Sequence, residues 1–362
     1  MLSRTADHLF WMSRYMERAE NTARMLDVNY QTALLPQSAD AAEAGWRGLL
    51  SISELSEHFE AHHGGVTAQR VMDYMVFDAE NDSSIHNCLL AARENARAVR
   101  GTLTTEVWET QNQTWLEFQR MSGAGSFERD PSALFEWVKF RSHLSRGVTV
   151  GTMLQDEAFH FLRIGSFLER ADNTARLLDV RFHAVRSEYH GGEGRGQSQR
   201  QSRNGGGAQS QSQSQSQGQG QDRSESPGET AGPNDGKDFE IDFYHWSSIL
   251  RSVSGFEVYR KVYRNVIRPE KVAELLILRN DMPRSLAACM QEVVSNLHRL
   301  ANEQSGETLR QAGRLHAELQ YGRIDEILAT GLHAFLTQFL ERVGRLGAGI
   351  SRDFLVPAAP SR

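Results

Sequence analysis

Glu17, Asn21 and Arg24 stand at positions 0, +4 and +7 of one stretch, and the same three residue types recur with that spacing at Glu169, Asn173 and Arg176. On an α-helix such positions share a face, so each set would hold a carboxylate, an amide and a guanidinium side by side. Carboxylates can move protons, guanidiniums grip carboxylates or phosphates through paired N–H groups, and amides both donate and accept hydrogen bonds. Two such faces meeting about a pseudo-twofold axis would form a polar cleft suited to an amide or carboxylate substrate. Turned on one another, the same groups would instead form a self-satisfied network that sets helix register. Glu20–Arg24 and Asp172–Arg176 add i, i+4 pairs to each set.

The two sets belong to a longer repeat. Residues 17–28 read ERAENTARMLDV and residues 169–180 read ERADNTARLLDV, identical at ten of twelve positions. The retained letters are mostly polar, whereas a repeat that served a core alone would retain its apolar positions. Trp46-Arg-Gly-Leu-Leu50 resembles Trp246-Ser-Ser-Ile-Leu250, Ser84–Cys88 matches Ser285–Cys289, and Asn95 and Asn296 each follow their cysteine by seven residues. The offset between copies grows from 152 to about 200, and the difference is about the length of a Gln/Ser/Gly-rich tract at 191–236. The chain therefore reads as one domain over 1–362 made of two halves, 1–151 and 152–362, with the tract inserted between the first two helices of the second half. Such an insertion is tolerated because loop-closure entropy grows only logarithmically with length. Its lack of large apolar residues predicts a disordered loop.

Where the halves differ is equally informative. Around the shared asparagines the first half reads Arg93-Glu94-Asn95-Ala96-Arg97, while the second reads Val294-Ser295-Asn296-Leu297-His298. This singly occurring charged turn makes Glu94, Asn95 and Arg97 candidates for an asymmetric site shared with Glu17, Asn21, Arg24, Glu169, Asn173 and Arg176. A carboxylate-bridged dimetal centre needs two Glu-x-x-His pairs. Only Glu157-Ala-Phe-His160 fits, since His8 has no Glu three residues before it. His58, His62 and His63 have the spacing of a zinc chelate but stand just before Gly64-Gly65, where a helix end favours histidine by itself. Cys88 and Cys289 lie among apolar neighbours and read as packing residues. No nucleotide-binding loop, nucleophile elbow or zinc-protease motif occurs, and no metal or cofactor is expected.

The elements that must carry these residues are helices throughout. Proline is scarce, apolar residues recur at three- and four-residue spacings, and strand-like alternation is absent. The pattern predicts an all-α, internally duplicated multi-helix bundle with about five to six helices per half. The helices fall at about 3–34, 41–62, 67–79, 84–120, 131–149, 153–186, 240–253, 255–266, 270–279, 283–303, 305–321 and 324–350. Trp108 and Trp115, on the long fourth helix, read as core. The formal charge of −6 gives no reason to expect nucleic acid or an anionic membrane. No 18-residue apolar run or signal-type leader is present, so a cytoplasmic protein is expected.

At these same residues the chain resembles the bacterial alpha-E domain family, all-α proteins of unknown function. The resemblance lies in MLSRTADHLFWMSRYMERAENTARMLDV at the start, AARENARAVRGTLTTEVWE at 91–109, FLRIGSFLERADNTARLLDV at 161–180 and MPRSLAAC at 282–289. It implies a protein encoded beside, and sometimes fused to, circularly permuted ATP-grasp proteins, with transglutaminase-like proteins nearby. That association implies a part in ATP-dependent amide- or peptide-bond formation, with an ATP-grasp-type ligase or transglutaminase-like protein as partner; homo-oligomerisation is compatible with it. The family's acidic and arginine positions carry over to Glu17, Arg18, Arg24, Glu94, Arg97, Glu169, Arg170 and Arg176. Two other readings stay open: an enzyme or ligand-binding protein using the duplicated Glu/Asn/Arg cleft, and a purely structural scaffold.

Overall fold

The computed structural model describes residues 1–123, 127, 129–200 and 245–355, without side chains for 181–200. The insertion expected over 191–236 lies outside the residues whose side chains are described. Every regular element among the described residues is helical. The first half runs α1 (Ser3–Ala33), α2 (Ala39–Ile52), α3 (Ser56–His63), α4 (Ala68–Val76), α5 (Ile85–Ala98), α6 (Thr105–Ser122) and α7 (Pro131–Thr152). The second runs α8 (Glu157–Arg200), α9 (245–252), α10 (Phe256–Tyr263), α11 (Pro269–Ile277), α12 (Leu286–Leu300), α13 (Gly306–Tyr321), α14 (Ile324–Thr330) and α15 (Leu332–Phe354).

Local chemistry sets many of these boundaries. Ser38, Thr67, Ser84, Thr104, Asp130 and Ser285 each accept a hydrogen bond from the backbone N–H three residues on, capping α2, α4, α5, α6, α7 and α12. The expected single helix over 41–62 is broken at Glu54, whose φ of 57° is left-handed, and its repeat-related residue Ser254 has φ 52°. At both breaks the next amide reaches back five residues, Leu55 N to Leu50 O at 2.9 Å and Gly255 N to Leu250 O at 2.7 Å. That is the bond by which a helix terminates on a left-handed residue. The expected helix over 84–120 divides likewise into α5 and α6, joined by a short 3-10 turn at Arg100–Thr102. Gly331, with φ 104°, separates α14 from α15. These breaks give each half more, shorter helices than the five or six expected.

α1 and α8 form the axial pair. α5 and α7 pack on α1, α12 and α15 pack on α8, α6 bridges α5 and α7, and α13 bridges α12 and α15. Trp46 and Trp246 fill matching positions of the core. α1 has no solvent face over residues 19–29, which are all buried, Glu20, Asn21, Arg24, Asp27 and Asn29 among them. A polar helix at the centre of a bundle must satisfy its charges internally. No helix among the described residues is long and apolar enough to cross a membrane.

Candidate functional site

The axial helices cross at Ser13 and Gly165, where a Cβ built on Gly165 would stand 2.2 Å from Ser13 Oγ and 2.4 Å from the Phe10 carbonyl oxygen. Only glycine permits so close an approach. One turn further along each helix comes a Glu-Arg dipeptide, and the two exchange partners across the crossing. Arg170 donates to Glu17 through Nε at 2.9 Å and Nη2 at 2.8 Å. Arg18 donates to Glu169 through Nε at 2.6 Å and Nη2 at 3.2 Å. Each pair is bidentate, the strongest geometry open to a guanidinium and a carboxylate.

The further partners of the two clasp carboxylates are not symmetric. Glu169 takes a second guanidinium, Arg14, at 2.7 Å. Glu17 is instead reached by Arg146 at 3.0 Å and Arg284 at 3.1 Å. Glu20 accepts from Arg24 at 2.8 Å, Arg284 at 2.5 Å, Ser142 at 2.7 Å, and also from Arg146. Burial alone would raise the Glu17 carboxyl, but Arg170 and Arg284 hold it at about 2. Burial opposes ionisation of Glu20 and Glu169 too, yet Arg284, Arg146 and Arg24 keep Glu20 well below its usual range, and Arg14 and Arg18 lower Glu169. Carboxylates held ionised in this way are poor proton donors at neutral pH.

Of the residues singled out by spacing, the structure brings Glu17, Asn21, Arg24 and Glu169 together at the crossing. Asn21 accepts from Arg284 Nη1 at 2.8 Å. Arg176 points elsewhere, to Asp172 at 2.6 Å and to Glu54 in the first half. Its counterpart Arg24 makes the matching reach, to Ser254 in the second half at 2.6 Å. Asn173 is half-buried beside α8's clasp residues. Glu94 and Arg97 do not join the cluster: Glu94 pairs with Arg93 and Arg97 on the outer side of α5, where Arg97 is 64% exposed. Asn95 Oδ1 lies 2.7 Å from His8 Nδ1, and Asn296 and His160 repeat the contact at 2.8 Å. The asymmetric site expected from Glu94, Asn95 and Arg97 with Glu17, Arg24, Glu169 and Arg176 is therefore not assembled. Of the singly occurring turn, Glu94 and Arg97 sit on the outer side of α5, and Asn95 faces α1.

Arg14, Ser142, Arg146 and Arg284 are cluster members that the sequence reading did not single out. Arg284 had a signal available, because Pro283-Arg284-Ser285 stands where the first half reads Asp82-Ser83-Ser84. Among the other motifs, His63 Nε2 lies 3.0 Å from Asp78, and Tyr74 Oη lies 2.7 Å from His58 Nδ1. Glu157 takes the Met1 amine at 2.5 Å. Among the described residues no three His, Cys, Asp or Glu side chains are grouped to hold a metal. Burial pushes both the Cys88 and Cys289 thiols up to about 12.

Two cavities flank the cluster. One, of about 230 Å³, lies between α1, α6, α7 and α8 and has Glu17, Arg146 and Arg170 in its wall. The other is an open groove of about 470 Å³ between α1, α7 and the corner at 251–257, with Arg24, Lys139 and His143 in its wall. Lys139 is spoken for by Asp27 at 2.8 Å. His143 stands with Nδ1 2.6 Å from Arg146 Nη2 and Nε2 3.2 Å from Arg24 Nη2. Burial lowers its pKa, opposed by Glu20 and aided by Arg146, Arg24 and Arg284.

Comparison with known proteins agrees with this architecture. A family model named Alpha-E, described as a predicted alpha-helical domain with a conserved ER motif, matches residues 1–355. Glu17-Arg18 and Glu169-Arg170 are Glu-Arg dipeptides of that kind. Uncharacterized proteins of Mycobacterium bovis and Mycobacterium tuberculosis are each 26% identical over 207 residues, covering 51% of this chain and 22% of theirs. The match thus spans about a fifth of those much longer relatives. No solved structure matches.

Proposed function

We propose, from the premise that the chain belongs to the Alpha-E family, that it is a non-catalytic binding component of an ATP-dependent amide- or peptide-bond-forming system. Its partner is an ATP-grasp-type ligase or a transglutaminase-like protein. The observation that carries this reading is the clasp at the crossing: Glu17 and Glu169, 1% and 8% exposed at their side chains, are consumed by bidentate arginines. Groups so paired and so held in their ionised state serve to lock two helices together. They do not offer an acid, base or nucleophile to a substrate. The mycobacterial relatives support the same reading, since the matched stretch is one section of a far longer chain.

The test is co-purification of the chain with the ligase or transglutaminase-like protein encoded beside it, followed by ATP-dependent ligation measured with and without the chain. Binding, together with ligation that falls in its absence, is the expected outcome. Ligation that proceeds equally well without it removes the accessory role, and ligation by the chain alone makes it an enzyme.

A further inference from the structure

The cluster at the crossing carries positive charge in excess. Arg24, Arg146, Arg170 and Arg284 close on only two carboxylates, Glu17 and Glu20. A guanidinium does not lose its proton in a protein, so the excess cannot be relieved by titration. Arg24, Arg170 and Arg284 have side chains no more than 9% exposed, so water screens them weakly. This excess sits inside a chain whose formal net charge is −6. A buried cation short of counter-charge is unfavourable, and an anion within reach would stabilise it.

The cavity of about 230 Å³ provides the place. Arg146 and Arg170 enter its wall from the cluster together with the Glu17 carboxylate they pair with, Arg163 enters from two turns earlier on α8, and Ser145, Thr149 and Ser166 line it with hydroxyls. Gln111, 2% exposed, also lines it, and only one end of its amide is engaged: Nε2 donates to Ser145 Oγ at 2.6 Å while Oε1 has no partner. Turning that amide over lets Ser145 donate to Oε1 and presents the NH2 group to the cavity. Asn21, 3% exposed and in the same cluster, leaves its Nδ2 donor unpaired as well. At about 30 Å³ per water the space holds roughly seven waters, enough for a phosphate or carboxylate group with a few attached atoms.

We propose that this cavity is a binding site for a small oxyanion, a phosphate or carboxylate group, held by Arg146, Arg163 and Arg170 and by the hydroxyls of Ser145, Thr149 and Ser166. The arginines supply charge, with Arg163 the freest donor because Arg146 and Arg170 already donate to Glu17. The hydroxyls of Ser145 and Ser166 adjust to the anion's oxygens, and Thr149 Oγ1 does so by turning from the Ser145 carbonyl, to which it donates at 2.8 Å. Arg163 donates through Nη2 to Glu292 of α12 at 2.8 Å and lies over the Phe167 ring, which leaves its Nε and Nη1 groups for the anion. The site does not depend on any partner protein.

The experiment is calorimetric titration of the full chain, at constant ionic strength in chloride, with inorganic phosphate, with acetate and with neutral acetamide. Saturable binding of phosphate or acetate at one site, with none of acetamide, is expected. Whichever anion binds more tightly names the group. Ser166→Leu, which places a side chain in the cavity, should weaken that binding at least tenfold. Thr149→Val, which removes a hydroxyl at nearly constant shape, should weaken it several-fold and decides the matter should Ser166→Leu fail to fold. Absence of saturable anion binding, acetamide binding as well as acetate, or undiminished binding by the folded variants overturns the proposal.

Discussion

Gly165 of α8 lies directly against Ser13 of α1, and the two are the same position of the duplicated helix. The approach is so close that a methyl group on Gly165 would fall 2.4 Å from the Phe10 carbonyl oxygen. That neighbour is backbone and cannot swing aside. Gly165→Ala must therefore push the axial helices apart and loosen the clasp one turn away. A loss of about 1–3 kcal/mol or more is expected from overpacking, measured by urea denaturation. Gly147 on α7 serves as the control, because nothing lies within 4 Å of its Cβ position. There Gly147→Ala should stabilise by about 0.5–1 kcal/mol through helix propensity alone. Equal effects at the two glycines would mean that the crossing is not tightly packed.

The surplus of guanidiniums at Glu17 and Glu20 makes the two signs of charge unequal in importance. Glu17→Gln leaves four arginines to share Glu20, and removing one member of a buried pair costs about 3–5 kcal/mol. Arg284→Met removes a cation whose own protonation burial disfavours, despite the attraction of Glu20 and Glu17. It also relieves repulsion with Arg170 and Arg24. Arg284→Met should accordingly destabilise less than Glu17→Gln when the two are unfolded side by side in urea. The opposite order would show that the cluster is not short of negative charge.

Much of this arrangement is legible in the chain itself, and the remainder is not, for identifiable reasons. The repeat announces that Glu17 and Glu169 are equivalent, and helical periodicity puts each beside its asparagine and arginine. What periodicity cannot say is which arginine each carboxylate takes. The reciprocal exchange between Glu17-Arg18 and Glu169-Arg170 is set by the crossing at Ser13 and Gly165, a tertiary fact. Arg146 comes from α7, with no spacing relation to α1. The breaks at Glu54 and Ser254 show the repeat's unused power. The second copy reads as two helices at 240–253 and 255–266, and carrying that break back to the first copy would have divided 41–62 at the right place. The charged turn at Glu94–Arg97 misleads for a different reason. A difference between copies marks lost symmetry, and solvent-facing positions lose it most easily.

Acid should unfold the protein through the clasp carboxylates. The Glu17 carboxyl is held at about 2 against an ordinary value of 4.5, and Glu20 and Glu169 are lowered as well. A depressed carboxylate contributes stability that is complete above the unfolded-state value and is lost as pH falls through the folded-state value. Stability should therefore decline from about pH 4.5 down to about pH 2 as Glu17 takes up its proton. His143, lowered from 6.5, contributes a smaller decline that begins below that value, because its neutral form is the one the fold favours. Urea midpoints measured across this range check the course. In Glu17→Gln the decline between pH 4.5 and 2 should be shallower than in the parent chain. An unchanged slope would assign acid sensitivity to other groups.

The turn at Glu94–Arg97 separates docking from folding. Glu94 pairs with Arg93 and Arg97 in solvent, Glu94 itself being 36% exposed at its side chain, and such surface pairs contribute about 0–1 kcal/mol. Replacing Glu94 and Arg97 together by alanine should leave the urea midpoint within that margin, because neither residue touches the axial clasp. Asn95, one residue away, behaves differently, since it faces inward to His8. Asn95→Ala leaves the His8 ring without its acceptor and should cost about 1–3 kcal/mol, as should Asn296→Ala at the matching contact with His160. A stable Glu94/Arg97 double variant that no longer binds the ligase would make this face of α5 part of the docking surface. One that binds as the parent does moves docking elsewhere on the molecule, while an unfolded one contradicts the solvent-facing placement of the pair.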